Sequence, residues 1–160
     1  MGFMKEIERK FLVEQNKMPK LPAGAKMVQG YLSFSPTVRV RTEDGPGDQH
    51  KAYITIKGEG TLGRDEYEYD VPIEEARQML KMAHASLVTK TRYRLPVENN
   101  PKLKWELDVF EGDNAGLIVV ELEMPDEDFD YPKPEWLGKD VTEDPAYKNA
   151  SLAQHPFKEW

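Results

Sequence analysis

The sequence predicts an α+β protein that is mainly antiparallel β, with about eight short strands and a few late helices. Apolar and polar residues alternate with a period of two through most segments. Clusters of Gly, Pro, Asn and Asp separate those segments, as turns between strands require. The chain has neither strand–helix–strand alternation nor an internal repeat.

Taken in order, the alternation predicts strands over residues 5–13, 27–34, 37–43, 52–57, 64–71, 87–97, 103–110 and 117–124. A connection holding Pro19, Pro22 and Gly24 follows the first strand, and Asp44-Gly45-Pro46-Gly47 closes the third. Pro72 suits the first turn of a helix over 73–83, where Ile73, Ala76, Met79, Leu80 and Ala83 recur on one face. Met79 and Met82 are expected to pack that helix against the sheet. Asn99-Asn100-Pro101 and Gly112-Asp113-Asn114 provide the later turns. The acidic, Pro-containing tail from Asp126 is expected to form short helices, the last over 146–154.

The 160 residues fit a single domain over 1–160. Cysteine is absent, which excludes disulfides and thiolate metal sites and fits a reducing compartment. No apolar run approaches the ~20 residues of a membrane span. A cytoplasmic protein without a membrane role is therefore expected. The formal net charge of -7 argues against nucleic acid as a partner.

Charge is sorted by strand. Residues two apart on a strand line one side. Glu6, Glu8 and Lys10 thus share a face, as do Arg39 with Arg41, Thr55 with Lys57, and Glu66 with Glu68 and Asp70. The pattern repeats in Lys90, Arg92 and Arg94, in Lys104, Glu106 and Asp108, and in Glu121 and Glu123. One such strand is what any sheet with a wet face shows. Seven strands with bases and acids kept apart describe a site. The strand over 27–34 alone lacks the pattern.

Guanidinium groups bind phosphate oxygens in pairs, and ammonium groups serve as point charges on the same oxygens. Carboxylates tolerate a phosphate only with a hard cation between them, and Mg²⁺ or Mn²⁺ takes oxygen ligands from carboxylate, water and substrate. A metal-bridged polyanion such as a triphosphate satisfies both halves. Facing charges favour a closed lumen over an open face, because exposed pairs gain little. Ordinary eight-stranded barrels, however, fill with apolar side chains.

Glu6-Ile7-Glu8-Arg9-Lys10 resembles the Glu-x-Glu-x-Lys signature of the CYTH superfamily, the triphosphate tunnel metalloenzymes. The resemblance continues through Gln29-Gly30-Tyr31-Leu32, Arg39-Val40-Arg41, Thr55-Ile56-Lys57, Glu66-Tyr67-Glu68, Lys90-Thr91-Arg92-Tyr93, Glu106-Leu107-Asp108, Glu121-Leu122-Glu123 and Val141-Thr142-Glu143-Asp144. It implies a closed, eight-stranded, tunnel-like β-barrel with peripheral helices and the charged ladder inside. It further implies Lys10, Arg39, Arg41, Lys57, Lys90 and Arg92 as phosphate ligands, and Glu6, Glu8, Glu121 and Glu123 as ligands of one or two Mg²⁺ or Mn²⁺ ions. Glu66, Glu68, Glu106 and Asp108 would orient the bases, position water or assist a second ion. The Tyr31 phenol would contact the terminal phosphate or the attacking water, or pack beside the mouth.

The expected activity is metal-dependent hydrolysis of a small-molecule triphosphate, inorganic tripolyphosphate first, by a monomer or homodimer. Nucleoside triphosphate hydrolysis, thiamine triphosphate hydrolysis, cyclisation of ATP as in a class IV-type adenylate cyclase, and a non-catalytic polyphosphate or nucleotide sensor use the same grip. Gly58-Glu59-Gly60-Thr61-Leu62-Gly63 matches a dinucleotide fingerprint by letter, but an alternating segment follows where a helix is required.

Overall fold

The computed structural model describes residues 7–58 and 65–160. The expected strand over 5–13 appears as β1 (Glu8–Val13), followed by β2 (Ala25–Phe34), β3 (Thr37–Asp44), β4 (His50–Lys57) and β5 (Glu66–Asp70). Helix α1 (Ile73–Leu80) precedes β6 (His84–Val97), β7 (Asn100–Glu111), β8 (Ile118–Glu123), β9 (Leu137–Asp140) and helix α2 (Asn149–Gln154). Glu6 and most of the Gly58–Gly63 letters fall outside the described residues.

Every ladder is antiparallel, and the strands form one sheet in the order β5-β4-β3-β2-β6-β7-β8-β1-β9. This corrects the closed eight-stranded barrel in two respects. The sheet has nine strands, and its outermost members β5 and β9 are not paired with each other among the described residues. At the C-terminal end of β1 the edge away from β8 is taken by the tail strand β9, in the register Phe11↔Asp140, while β8 pairs along β1 in the register Lys10↔Glu121. The tail, expected to be helical here, instead supplies the ninth strand.

Register shifts between Gln29 and Ser33 on β2, near Val97 on β6 and between Phe11 and Val13 on β1 bend the sheet. Residues from β1 through β8 consequently line a single concavity. Three apolar clusters set its boundaries. Trp105, Leu107, Val120 and Leu122 pack behind β1, β7 and β8 with Phe129, Tyr131 and Trp136 of the tail. Val40 and Ala52 pack behind β3 and β4 with Ala76 of α1. The third cluster fills one end of the concave face itself: Tyr31, Val88, Phe110 and Val119 meet Leu152 and Ala153 of α2. That end is dry, and the other keeps the charged ladder.

Helix α1 ends at Leu80 rather than at 83, because Lys81, Met82 and Ala83 donate to carbonyls three residues back. The tightened turn rotates Met82 away from the sheet, where it is 62% exposed, while Met79 packs as expected. Gly30 on β2 lets the end of this helical segment approach closely: an added Cβ would lie 2.8 Å from Ala83 Cβ.

Candidate active site

Directly paired residues in an antiparallel sheet point to the same side, so register alone assembles the site. Across β2, β3, β4 and β5 run Tyr31↔Arg39, Arg39↔Thr55 and Thr55↔Glu68. Across β1, β8, β7 and β6 run Lys10↔Glu121, Glu121↔Glu106 and Glu106↔Arg94. One row further along, Glu8 pairs with Glu123 and Lys57 with Glu66.

These rows enclose a cavity of ≈ 380 Å³, within the range of small-molecule sites. Of the expected phosphate ligands, Lys10, Arg39, Arg41, Lys57 and Arg92 line it. Of the expected metal ligands, Glu8, Glu121 and Glu123 line it; Glu66 and Glu68 line it from β5 and Glu106 from β7. Tyr31 lines it too, yet is only 2% exposed and stacks on Phe34 at 5.3 Å between ring centroids. Burial pushes the Tyr31 phenol up, against the pull of Arg39 and Arg41.

Two of the expected site residues lie elsewhere, as do Asp70, Arg94 and Lys104 of the ladder. Lys90 and Asp108 are fully buried and do not line the cavity. The Lys90 ammonium donates to Asp108 Oδ2 at 2.8 Å and to Asn149 Oδ1 at 3.1 Å. Asp108 also accepts from Arg92 Nε at 2.8 Å and Arg92 NH2 at 2.9 Å, a two-pronged pair. Burial would raise the Asp108 carboxyl, but Arg92 and Lys90 outweigh it and hold the group below the usual carboxylate range. Burial pushes the Lys90 ammonium down to about 7, with Asp108 opposing. Burial acts against the Arg92 charge as well, and Asp108 more than compensates, raising its pKa further.

The remaining cations are held with capacity to spare. Lys10 Nζ donates to Tyr147 O at 2.9 Å and lies 3.4 Å from Glu121 Oε1. Burial would raise Glu121, but Lys10 keeps it low. Arg41 Nε donates to Gln29 Oε1 at 2.7 Å. Arg39 NH2 reaches Thr55 Oγ1 at 3.4 Å, and Thr55 in turn donates to Glu68 Oε2 at 3.2 Å. Arg39 Nε is buried without a hydrogen-bond partner. Burial first, and then the charge of Arg41, push the Arg39 guanidinium below its ordinary value. An unsatisfied buried donor beside a like charge is costly, and an anion entering the cavity answers both conditions.

Among the described residues no three carboxylates or imidazoles converge into a ready-made cage for a metal. A hard divalent cation bound through one or two carboxylates plus waters and substrate phosphates needs no such cage. Glu8 and Glu123, opposed across β1 and β8 on the cavity wall, can hold one on those terms.

The sequence reading gave no site role to Thr37, Lys148, Asn149 or Gln29. Lys148 and Asn149 line the cavity from the C-terminal segment, and Gln29 is fully buried behind Arg41. Gln29 had two signals, as the lone amide of its strand and as the first residue of the Gln29-Gly30-Tyr31-Leu32 segment, but neither gave it a role. Lys148 and Asn149 had none, because their position depends on where α2 docks.

Comparison with known proteins agrees with this architecture. The CYTH domain profile matches residues 4–157. An inorganic triphosphatase of Acetivibrio thermocellus is 39% identical over 158 residues, covering 96% of this chain and 96% of that protein. An inorganic triphosphatase of Nitrosomonas europaea is 37% identical over 156 residues, covering 94% and 97%. A crystal structure of an inorganic triphosphatase superposes with a TM-score of 0.67 at 33% identity, covering 95% of this chain and 97% of that one. With a charged concavity built on the segments that carried the initial resemblance, and a family profile spanning nearly its whole length, the chain belongs to the CYTH domain family.

Proposed function

We propose that this protein hydrolyses inorganic triphosphate to pyrophosphate and orthophosphate with the help of Mg²⁺ or Mn²⁺. The observation that carries the reading is the buried, unpartnered Arg39 Nε, set in a cavity with four further cationic side chains of the ladder, Lys10, Arg41, Lys57 and Arg92. The two relatives named inorganic triphosphatase, similar over nearly the full chain, support it. The lining supports an inorganic substrate over a nucleotide: Tyr31 and Ala150 are its only aromatic and aliphatic members among the described residues, and Tyr31 is almost wholly covered. A nucleobase finds no platform there.

In this reading Arg39, Arg41, Lys57, Lys10 and Arg92 grip the phosphate oxygens and neutralise charge as it shifts toward the leaving group. Water attacks the terminal phosphorus, the bridging P–O bond breaks, and its electron pair leaves with pyrophosphate. Glu8, Glu121 and Glu123, with Glu6, would hold the divalent ion, which would supply Lewis-acid stabilisation between the carboxylates and the substrate. Glu66, Glu68 and Glu106 fix the bases and the water around them.

The test is phosphate release from tripolyphosphate and from ATP, each with and without Mg²⁺. Metal-dependent release from tripolyphosphate, well above that from ATP, is the expected result. Cyclic AMP from ATP, preference for ATP or thiamine triphosphate, or tight binding without turnover would each displace the reading.

A further inference from the structure

A chain of buried and half-buried hydrogen bonds joins the two flanks of the cavity. It begins at Arg41, whose Nε donates to Gln29 Oε1 at 2.7 Å. The Gln29 amide donates from Nε2 to Asn149 Oδ1, also at 2.7 Å. The same Asn149 oxygen accepts from Lys90 Nζ at 3.1 Å. Lys90 reaches Asp108 at 2.8 Å, and Asp108 takes both prongs of Arg92. Arg41 and Arg92, on β3 and β6, are therefore tied together through one residue at the start of α2.

We infer that Asn149 is a positioning residue that orients Arg41 through Gln29, so that docking of α2 sets the geometry of the phosphate grip on the β3 side. This inference rests on the proposed triphosphatase reading for its kinetic consequence, but not for its structural one.

The chemistry of the amide gives the direction of control. A glutamine side chain turned over by half a rotation would present Nε2 to Arg41 Nε, donor against donor. An acceptor on the far side prevents this, and Asn149 Oδ1 is that acceptor. The Lys90 ammonium, which can only donate, fixes in turn which end of the Asn149 amide faces inward. Each link is thus determined by the next, and the orientation of Arg41 is set by a residue 108 positions away along the chain. Fully satisfied buried networks hold a unique arrangement, and loss of one member releases the others. Lys90, expected to bind substrate, acts here from behind the cavity wall. Lys10 follows the same logic, since Tyr147 O of the adjoining turn accepts from its ammonium.

The test removes the shared acceptor. Asn149 is half-buried and makes no capping bond at the start of α2, so Asn149→Ala leaves the helix intact. Two readouts apply. In ligand-free wild type, the Arg41 Nε proton exchanges slowly with water by NMR; in Asn149→Ala it exchanges about tenfold faster or more. With tripolyphosphate, KM rises about tenfold while kcat changes by less than about threefold, as expected for misdirected charge-assisted bonds. In an Arg41→Ala background, Asn149→Ala adds less than about threefold to KM. In Gln29→Glu, whose carboxylate holds Arg41 unaided, Asn149→Ala adds a similarly small factor. Unchanged exchange at Arg41, or an equal KM penalty in the Arg41→Ala background, would overturn the inference. A wild type unable to hydrolyse tripolyphosphate would remove the functional reading alone, and the exchange measurement would still decide the bracing.

Discussion

Asp108 is the most exacting point of the structure. It has no solvent exposure and accepts three charge-assisted hydrogen bonds, two from Arg92 and one from Lys90, all between 2.8 and 2.9 Å. Asp108→Asn keeps the shape, removes the charge and turns one acceptor into a donor facing a cation. Arg92 then loses its buried counter-charge, and Lys90, whose ammonium burial already disfavours, loses the carboxylate that opposes that burial. Removing one partner of a buried ion pair costs about 3–5 kcal/mol. For a chain of this length the thermal midpoint moves by about 2–4 °C per kcal/mol, so the expected fall is ~6–20 °C. Circular dichroism melts at pH 7 measure it.

The pH dependence has a definite sign. The Asp108 carboxyl titrates lower in the folded chain than in the unfolded one. Its contribution is therefore complete above about pH 5 and shrinks as pH falls through about 4 toward the folded value. The stability gap between wild type and Asp108→Asn, measured by urea titration, should narrow over that window. Adding Lys90→Met to Asp108→Asn removes the buried amine left without its carboxylate and should restore at least ~1 kcal/mol. A cost below ~1 kcal/mol, together with a gap that is flat from pH 7 to pH 3.5, would refute the buried triad.

Three further outcomes follow from the geometry. Arg39→Ala relieves an unsatisfied donor and a like-charge contact, so thermal stability should hold or rise by up to ~1 kcal/mol while KM for tripolyphosphate increases about tenfold or more; a clear loss of stability would contradict the orphaned Nε. Glu8→Gln and Glu123→Gln should each lower kcat by about 100-fold or more at fixed Mg²⁺, and near-normal turnover in either would contradict the metal assignment. Gly30→Val drives a side chain into Ala83, Leu87 and Leu80 and should destabilise by about 1–3 kcal/mol in urea, without altering KM in the fraction that remains folded.

Much of the site was legible because a strand has a period of two. Alternation alone placed Lys10 with Glu8, Arg39 with Arg41 and Glu121 with Glu123 on one side of each strand, and the register then aligned those sides. The segment order carried the family, and the turns at Gly45 and Gly47 adopt the positive φ that their glycines permit. Closure of the sheet was not legible. The open edge at β5 and the ninth strand β9, which reaches β1 from more than 120 residues away, are long-range outcomes that no local pattern records.

The sequence by itself determined which side of every strand each charged residue occupies, since that follows from the backbone repeat. Only the tertiary structure decided depth. Lys90 and Arg92 share a face, yet one is sealed beneath α2 and the other lines the cavity. Periodicity carries no information about what docks onto a face. In this protein α2 covers one end of it, and Lys90 is buried there with its ammonium on Asn149 of that helix.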